Sequence, residues 1–212
     1  MDWKGRVSPK TISRLSLYRR LLTDYAANEH AERIYSHGLA RLAGVSAAQV
    51  RRDIMSVGYS GTPNTGYEIR ALVDHISAHI DAPEGQQVAL VGVGNLGRAI
   101  LSYFSGGRRA QLKVVAGFDT APEKTGRVLL GCRCYPMDQL AEVARRERIT
   151  IGIIAVPASV AQETADRLVG AGVVGLLNFA PVPIKVPLNV FVENVDITIK
   201  LETVAFFALR SR

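Results

Sequence analysis

The stretch VALVGVGNLGRAI, residues 88–100, decides how this chain is read. Its first four residues form an apolar run of strand length. Gly92-Val93-Gly94-Asn95-Leu96-Gly97 then matches G-x-G-x-x-G, and a helix with apolar periodicity begins behind it. The glycine pattern is weak alone. Between a strand and a helix start it is the opening of a dinucleotide-binding unit. Gly92 permits the tight turn, Gly94 lets a pyrophosphate approach the backbone, and Gly97 allows close helix–strand packing. The phosphates then face amides at a helix N-terminus. The next apolar run, LKVVAGFD, ends on Asp119, 22 residues past Gly97. An acid at that spacing accepts ribose hydroxyls. It favours NAD(H) over NADP(H), because a carboxylate repels a 2′-phosphate. Lys124 and Arg127 follow closely and soften that preference.

From Gln87 onward, apolar runs of strand length at 88–91, 112–118, 151–155 and 173–177 alternate with helical stretches at 95–104, 138–148 and 158–171. Such alternation predicts a parallel α/β sheet. A dehydrogenase needs a placed acid or base, most often His. His30, His37, His75 and His79 all precede the glycine loop. They read as surface or packing residues. Lys113, Lys124, Lys185, Lys200, Tyr103 and Tyr135 remain as possible acids in the α/β part. Its roughly 125 residues barely complete a nucleotide-binding fold and leave little room for a substrate domain. The chain is therefore not expected to be an enzyme. An NAD-dependent oxidoreductase with an accessory helical domain is the competing reading, and it accounts only for residues 87 onward. Coenzyme A is a further candidate ligand, against which Asp119 weighs.

The first 80 residues have a different texture. TISRLSLYRRLLTDYAA, 11–27, has near-helical apolar spacing. Ser36 is expected to cap a short helix, His37–Ala43, that ends at Gly44. Ser46 opens a second helix running to about Val57, and Ser46-Ala47-Ala48-Gln49 matches a capping box. Two short helices joined by Gly44-Val45-Ser46 make a helix-turn-helix pattern. The second would present Gln49, Arg51 and Arg52 from its N-terminal half, where a recognition helix meets base edges. A solvated helix face is the bland alternative. YSGTPNTGY, 59–67, carries a hairpin signal, which completes a winged helix. RALVDHISAHI, 70–80, reads as one more helix, and DAPEGQ, 81–86, as a linker. The expected organisation is a winged-helix DNA-binding domain at 1–80, a linker at 81–86, a Rossmann-like domain at 87–198 and a terminal helix at 199–212. IKLETVAFFALR, 199–210, is apolar most of the way round. It needs burial on several sides, in its own domain or inside a partner subunit.

Composition bounds these readings. The chain has 212 residues, 48% of them hydrophobic and 21% charged, in the range of soluble globular proteins. No apolar run approaches membrane-spanning length, and MDWKGRVSPK lacks the apolar core of a secretory signal, so a cytoplasmic location is expected. The net charge is +7. Residues 1–80 carry 11 Lys/Arg against 7 Asp/Glu, a modest lean that permits binding to an acidic polymer without demanding it. Cys132 and Cys134 lack the further ligands of a zinc site, and a disulfide across one residue would be strained. They read as ordinary residues near a strand, with a redox role as the alternative.

The order helix-turn-helix, hairpin, GVGNLG, GFDTAPEKTG, AVP, LNFAPV and VENVDIT resembles the Rex redox-sensing transcriptional repressors of bacteria. The likeness runs from about Ile12 to the terminal helix, and LNFAPV with VENVD is far more specific than the glycine loop. The resemblance implies a homodimer with an N-terminal winged helix, a Rossmann-like domain and a terminal helix exchanged between subunits. It implies a repressor that binds palindromic double-stranded operators when NADH is low and is released as NADH rises over NAD+. Carried onto these residues, Gly92–Gly97, Asp119 and Lys124 hold the cofactor. Pro157, Asn178, Phe179 and Ala180 lie near the nicotinamide side. Arg20, Tyr103 and Asp196 link cofactor state to domain geometry. Ser46, Gln49, Arg51 and Arg52, with Gly61, Thr62 and Asn64 of the wing, meet DNA. One departure stands out. The family's wing commonly carries a basic residue, whereas GTPNTGY has none.

Overall fold

The computed structural model describes residues 7–61, 65–105 and 111–210. The chain divides into two compact units, Met1–Pro83 and Glu84–Arg212.

In the first unit, Ser8 caps α1 (Pro9–Glu29), accepting from the Thr11 N–H, and Pro9 sits where its missing N–H costs nothing. Leu15, Tyr18 and Leu22 recur at helical spacing and are fully buried. A two-residue strand, β1 (Arg33–Ile34), leads into α2 (Ser36–Ala43), which ends at Gly44. Then come α3 (Ala47–Ser56), β2 (Tyr67–Glu68) and α4 (Ile69–Ile80). The α1 helix packs against α2, α3 and α4. The shared core includes Leu39, Val50, Ile54, Leu72 and Ile76.

Two local expectations need correction, and a third is described only in part. Ser36 is the first residue of α2 rather than its cap. Tyr35 holds the cap position without a side-chain bond, and the Ser36 hydroxyl instead accepts from Arg51 Nη1 at 3.0 Å. Only half of the capping box forms. Ser46 Oγ accepts from the Gln49 N–H at 3.1 Å, but the Gln49 amide turns forward to Asp53. The expected hairpin, 59–67, falls partly outside the described residues. Among the described residues 59–61 form no strand, and β2 pairs antiparallel with β1, Ile34 opposite Tyr67 and Arg33 opposite Glu68. Tyr59 and Tyr67 still meet, as rings 6.3 Å apart.

Asp53 fixes how α3 sits on α1. Its side chain is buried, 2% exposed. It accepts from Arg14 Nε at 2.6 Å and Nη2 at 2.7 Å, from the Tyr18 hydroxyl at 2.9 Å and from Gln49 Nε2 at 2.8 Å. Burial by itself would raise this carboxyl. The bonds from Arg14, Tyr18 and Gln49 outweigh burial and hold it below the usual range. Arg19, one turn further along α1, ties α4 by an ion pair to Asp81 at 2.6 Å.

The second unit is a seven-stranded sheet of order β5-β6-β4-β3-β7-β8-β9 among the described residues. Its strands are β3 (Gln86–Val91), β4 (Leu112–Asp119), β5 (Val128–Leu129), β6 (Cys132–Pro136), β7 (Ile149–Ile154), β8 (Gly175–Asn178) and β9 (Phe191–Asn194). All neighbours are parallel except the β5–β6 hairpin. The helices are α5 (Asn95–Ser105), α6 (Leu140–Arg146, after a short 3-10 turn at Met137–Gln139) and α7 (Ala158–Gly170). One apolar cluster joins α6 and α7 to the sheet, and a second, with Leu101 of α5, lies against Val88, Leu90 and Ile153. Strand order reverses between β3 and β7, the switch point at which open α/β sheets bind ligands.

The terminal helix α8 (Ile197–Ala208) has no buried residue. Phe207 is 63% and Leu209 80% exposed. Packing within its own domain, one of the two expectations for this segment, does not occur. Cys132 and Cys134 are free, buried thiols of β6. Burial and the neighbouring Cys134 raise Cys132 to about 11, so it is a neutral thiol at neutral pH.

Asp53→Ala strands the Arg14 guanidinium and the Tyr18 hydroxyl. It should destabilise the helical unit by about 3 kcal/mol. In hydrogen exchange on the full chain, α1 and α3 amides should lose protection while β3 and β7 amides keep theirs. Because the folded Asp53 value is depressed, its contribution is complete above the unfolded value near pH 4 and is lost as pH falls through the folded one. Protection in α1 and α3 should therefore decline with acid below about pH 4, and less so in Asp53→Asn.

Candidate nucleotide cleft and DNA-reading helix

The glycine turn joins β3 to α5 at the switch point. Gly92 has φ +94°, and a Cβ there would overlap the Ala155 carbonyl. Its N–H donates to Phe118 O at 2.8 Å, and the Ala155 N–H donates to Val91 O at 2.8 Å. The turn is thus pinned between β4 and the segment after β7. A Cβ on Gly97 would run into the Gly92 carbonyl, so this glycine lets α5 start directly against the turn it leaves. Space beside Gly94 is open, as an approaching phosphate requires. Asn95 and Leu96 open α5 and are exposed, while Val93 points inward and is buried.

Asp119, at the end of β4, grips this turn. Its Oδ2 accepts from the Val93 N–H at 2.8 Å and from Lys124 Nζ at 2.9 Å, and its Oδ1 accepts from the Ala121 N–H at 2.9 Å. Burial alone would raise the carboxyl. The Ala121 amide, the Lys124 ammonium and the Val93 amide reverse this and hold it below the usual range. The carboxylate is therefore ionised but charge-paired. One acceptor direction, on Oδ1, is left for a ribose hydroxyl.

A cavity of about 330 Å³ opens at these strand ends. Val91, Gly92 and Gly94 form one wall, Asp119, Thr120, Lys124 and Met137 another, and Ala155–Pro157 with the first turns of α7 the third. Glu163 and Arg167 of α7 pair at its rim, 2.8 Å apart. Pro157 thus lies in the same cavity as Asp119.

Asn178, Phe179 and Ala180 do not line this cavity. Asn178 is fully buried. Its Nδ2 donates to Val182 O at 2.8 Å and to Asn194 Oδ1 at 2.9 Å, and its Oδ1 accepts from the Ala180 N–H at 3.0 Å. The side chain is spent on shaping the turn after β8. Ala180 is buried in the sheet core, and Phe179, half-buried, packs against the opposite cluster.

On α3, Val50, Asp53 and Ile54 face the core, while Ala48, Arg51, Arg52 and Met55 form an exposed stripe. Arg51 and Arg52 therefore project together from the outer face. Gln49 is half-buried and held by Asp53, which limits its reach. Ser46, the helix cap, is exposed. Gly61 lies against the Tyr67 ring. Thr62 and Asn64 lie outside the described residues. Arg33 of β1 leans along the wing stem, its Nη1 3.5 Å from Thr65 O.

Of the three residues assigned to coupling, Arg20 is exposed on α1 and forms no ion pair with Asp24. Tyr103 is exposed on α5 with its ring edge-on to Phe104. Asp196 caps α8, its Oδ1 accepting from the Thr198 and Ile199 N–H groups at 2.8 and 3.2 Å.

Comparison with known proteins bears directly on this pairing of helix and cleft. The chain is 41% identical over 201 residues to the redox-sensing transcriptional repressor Rex of Desulfitobacterium hafniense, covering 95% of both chains. It belongs to the Rex family of redox-sensing transcriptional repressors. Rex of Carboxydothermus hydrogenoformans is 40% identical over 95% of this chain and 96% of its own. The crystal structure of RSP in complex with β-NAD+ and operator DNA matches with a TM-score of 0.89 at 32% identity, over 98% of this chain and 95% of that one. RSP in complex with β-NADH matches at 0.86. Residues 84–182 match the family described as CoA binding domain, and residues 6–54 a DNA-binding protein N-terminus. The relatives are named as transcriptional repressors. No helix among the described residues of this Rex chain is long and apolar enough to cross a membrane.

Gly97→Ala should force α5 away from the turn and destabilise the α/β unit by about 1–3 kcal/mol. Urea denaturation, with exchange in β3 and α5 as the local readout, checks this.

Proposed function

We propose that this Rex chain works as a homodimer that reads the NADH/NAD+ balance and reports it as operator occupancy. The observation that carries the reading is the Asp119-clamped glycine turn, in the same chain as a helix-turn-helix whose outer face presents Arg51 and Arg52.

The residues present fit a dinucleotide. The Gly92–Gly97 turn offers amides and an uncovered approach at Gly94 for the pyrophosphate. Asp119 offers its remaining acceptor to the adenosine ribose, with Lys124 and Pro157 beside it. The turn at Asn178–Ala180 then stands on the nicotinamide side, across the switch point. Its backbone is fixed by Asn178, and its neighbours Phe179 and Ala180 are apolar. An apolar wall disfavours the positively charged oxidised ring and suits the neutral reduced one. That differential is what a sensor needs, since a ligand with equal affinity for two arrangements shifts neither.

The α8 helix supports the dimer reading. Its exposed apolar surface runs around the whole helix, from Ile197 to Leu209. An exposed apolar surface of that extent calls for a partner. Exchange between two copies would bury it and bring Asp196 of one copy towards groups of the other. Arg20 and Tyr103 are exposed. Two α3 helices one DNA turn apart would then read a palindrome. The organisation that follows is DNA reading by residues 1–80, a hinge at 81–86, sensing by 87–198 and dimerisation by 199–212. A location among nucleic acid in the cytoplasm fits this use.

At the operator, Arg51 and Arg52 are the base and phosphate readers, with Ser46, Gln49 and the wing residues Gly61, Thr62 and Asn64 in support. The wing tip has no cation, and Arg33 at its stem supplies one to the phosphates.

In fluorescence anisotropy with a palindromic operator, NADH should release the protein at concentrations where NAD+ does not. Equal effects of the two would refute the sensor. Arg51→Ala should cost about 1–3 kcal/mol on the preferred site and much less on random duplex if it reads a base. Arg33→Ala should weaken both alike and reduce the slope of log K against log salt by about 0.9. Deleting residues 197–212 should leave a monomer by light scattering.

A further inference from the structure

The cavity beside the glycine turn covers only one end of a dinucleotide's path. It begins at Gly94, passes Asp119 and Lys124 and ends among Met137, Pro157 and Val160, with β8 contributing nothing to its lining. The acid that marks the adenosine ribose sits inside it. Its about 330 Å³ is at the lower end of small-molecule sites. Its walls come from the ends of β3 and β4, from Met137 and from the segment after β7 with α7, without the turn after β8. Met137, Val160 and Pro157 supply apolar walls for a flat base. Both acids at its wall are already paired, Asp119 with Lys124 and Glu163 with Arg167, so no unpaired carboxylate repels an anionic ligand. The group that distinguishes NADH from NAD+ belongs at the other end, near Phe179 and Ala180.

We propose that this cleft also takes adenosine diphosphates that lack nicotinamide, with free ADP as the ligand, and that such a ligand blocks NADH without itself releasing DNA. Affinity resides at the adenosine end and the signal at the other. ADP therefore competes for the first and has nothing with which to bias the second. The repressor thereby gains an adenylate input: at a fixed NADH/NAD+ ratio, more ADP keeps it on the operator. The inference rests on the cofactor reading given above.

The test uses the full chain on a labelled palindromic operator, with NADH titrated at several fixed ADP concentrations. Calorimetry of ADP with the protein alone supplies its Kd. The NADH curve should move to the right in parallel, by about tenfold when ADP is at nine times that Kd. ADP alone should change operator affinity less than about twofold. An NADH midpoint that stays put in saturating ADP, while NADH still releases the protein, overturns the inference and leaves the sensor reading intact. Release by ADP alone overturns it differently, by showing that the adenosine end drives the switch. Failure of NADH to release at any ADP concentration defeats the sensor reading and this inference together.

Discussion

The bond from the Val93 amide to Asp119 joins the turn after β3 to the end of β4, and the cleft depends on it. The turn has little freedom of its own. Gly92 lies against the Ala155 carbonyl, and Gly97 lies against Gly92. With Asp119 holding Val93 from one side and the segment after β7 pressing from the other, the amides of the turn are aimed before any ligand arrives. Such preorganisation removes an ordering cost from binding. It also gives Asp119 two tasks. The carboxylate that would meet a ribose is the one that fixes the loop for the phosphates, so a change there disturbs both ends of the adenosine diphosphate site.

A second carboxylate does comparable work in the helical unit. Asp53 lies on the buried face of α3, and four donors from α1 and α3 converge on it. The outward direction of Arg51 and Arg52 follows, because residues two and one positions before a fully anchored one on a helix must face away from the anchor. In both units a buried acid, saturated by donors from a neighbouring element, sets the angle of a functional segment. The exposed stripe of α3 and the fixed form of the glycine turn are consequences of those two anchors.

Sequence patterns reached the long elements and stopped at the short ones. The 3.6-residue spacing of Leu15, Tyr18 and Leu22 announces α1, and the unbroken runs of β3, β4 and β7 announce a sheet buried on both faces. β5 escapes because two residues carry no period, and its turn places Leu130 at φ +50°, where Asn or Gly would have been the signal. β9 escapes because its Glu193 and Asn194 are exposed at an edge. The wing was legible as a turn but not as a pairing, since nothing local says that Tyr67 will meet Ile34 across more than thirty residues. Nothing in the residues next to Asp53 marked it as an anchor. Its partners Arg14 and Tyr18 lie 39 and 35 residues away, and no spacing rule joins them.

The sequence by itself determined the glycine turn, the acid that follows it, the helix-turn-helix and the apolar terminal helix. Each is a property of residue types at short separations, where backbone sterics and periodicity act. Tertiary structure decided which polar groups are spent and which are free. It sealed Asn178 into the turn after β8, placed Pro157 in one cavity with Asp119, paired Lys124 with Asp119 and left α8 with every face exposed. Those outcomes depend on which distant element supplies the donor or the apolar surface. Hydrogen bonding and burial are settled by proximity in space, which a linear order of residues does not encode.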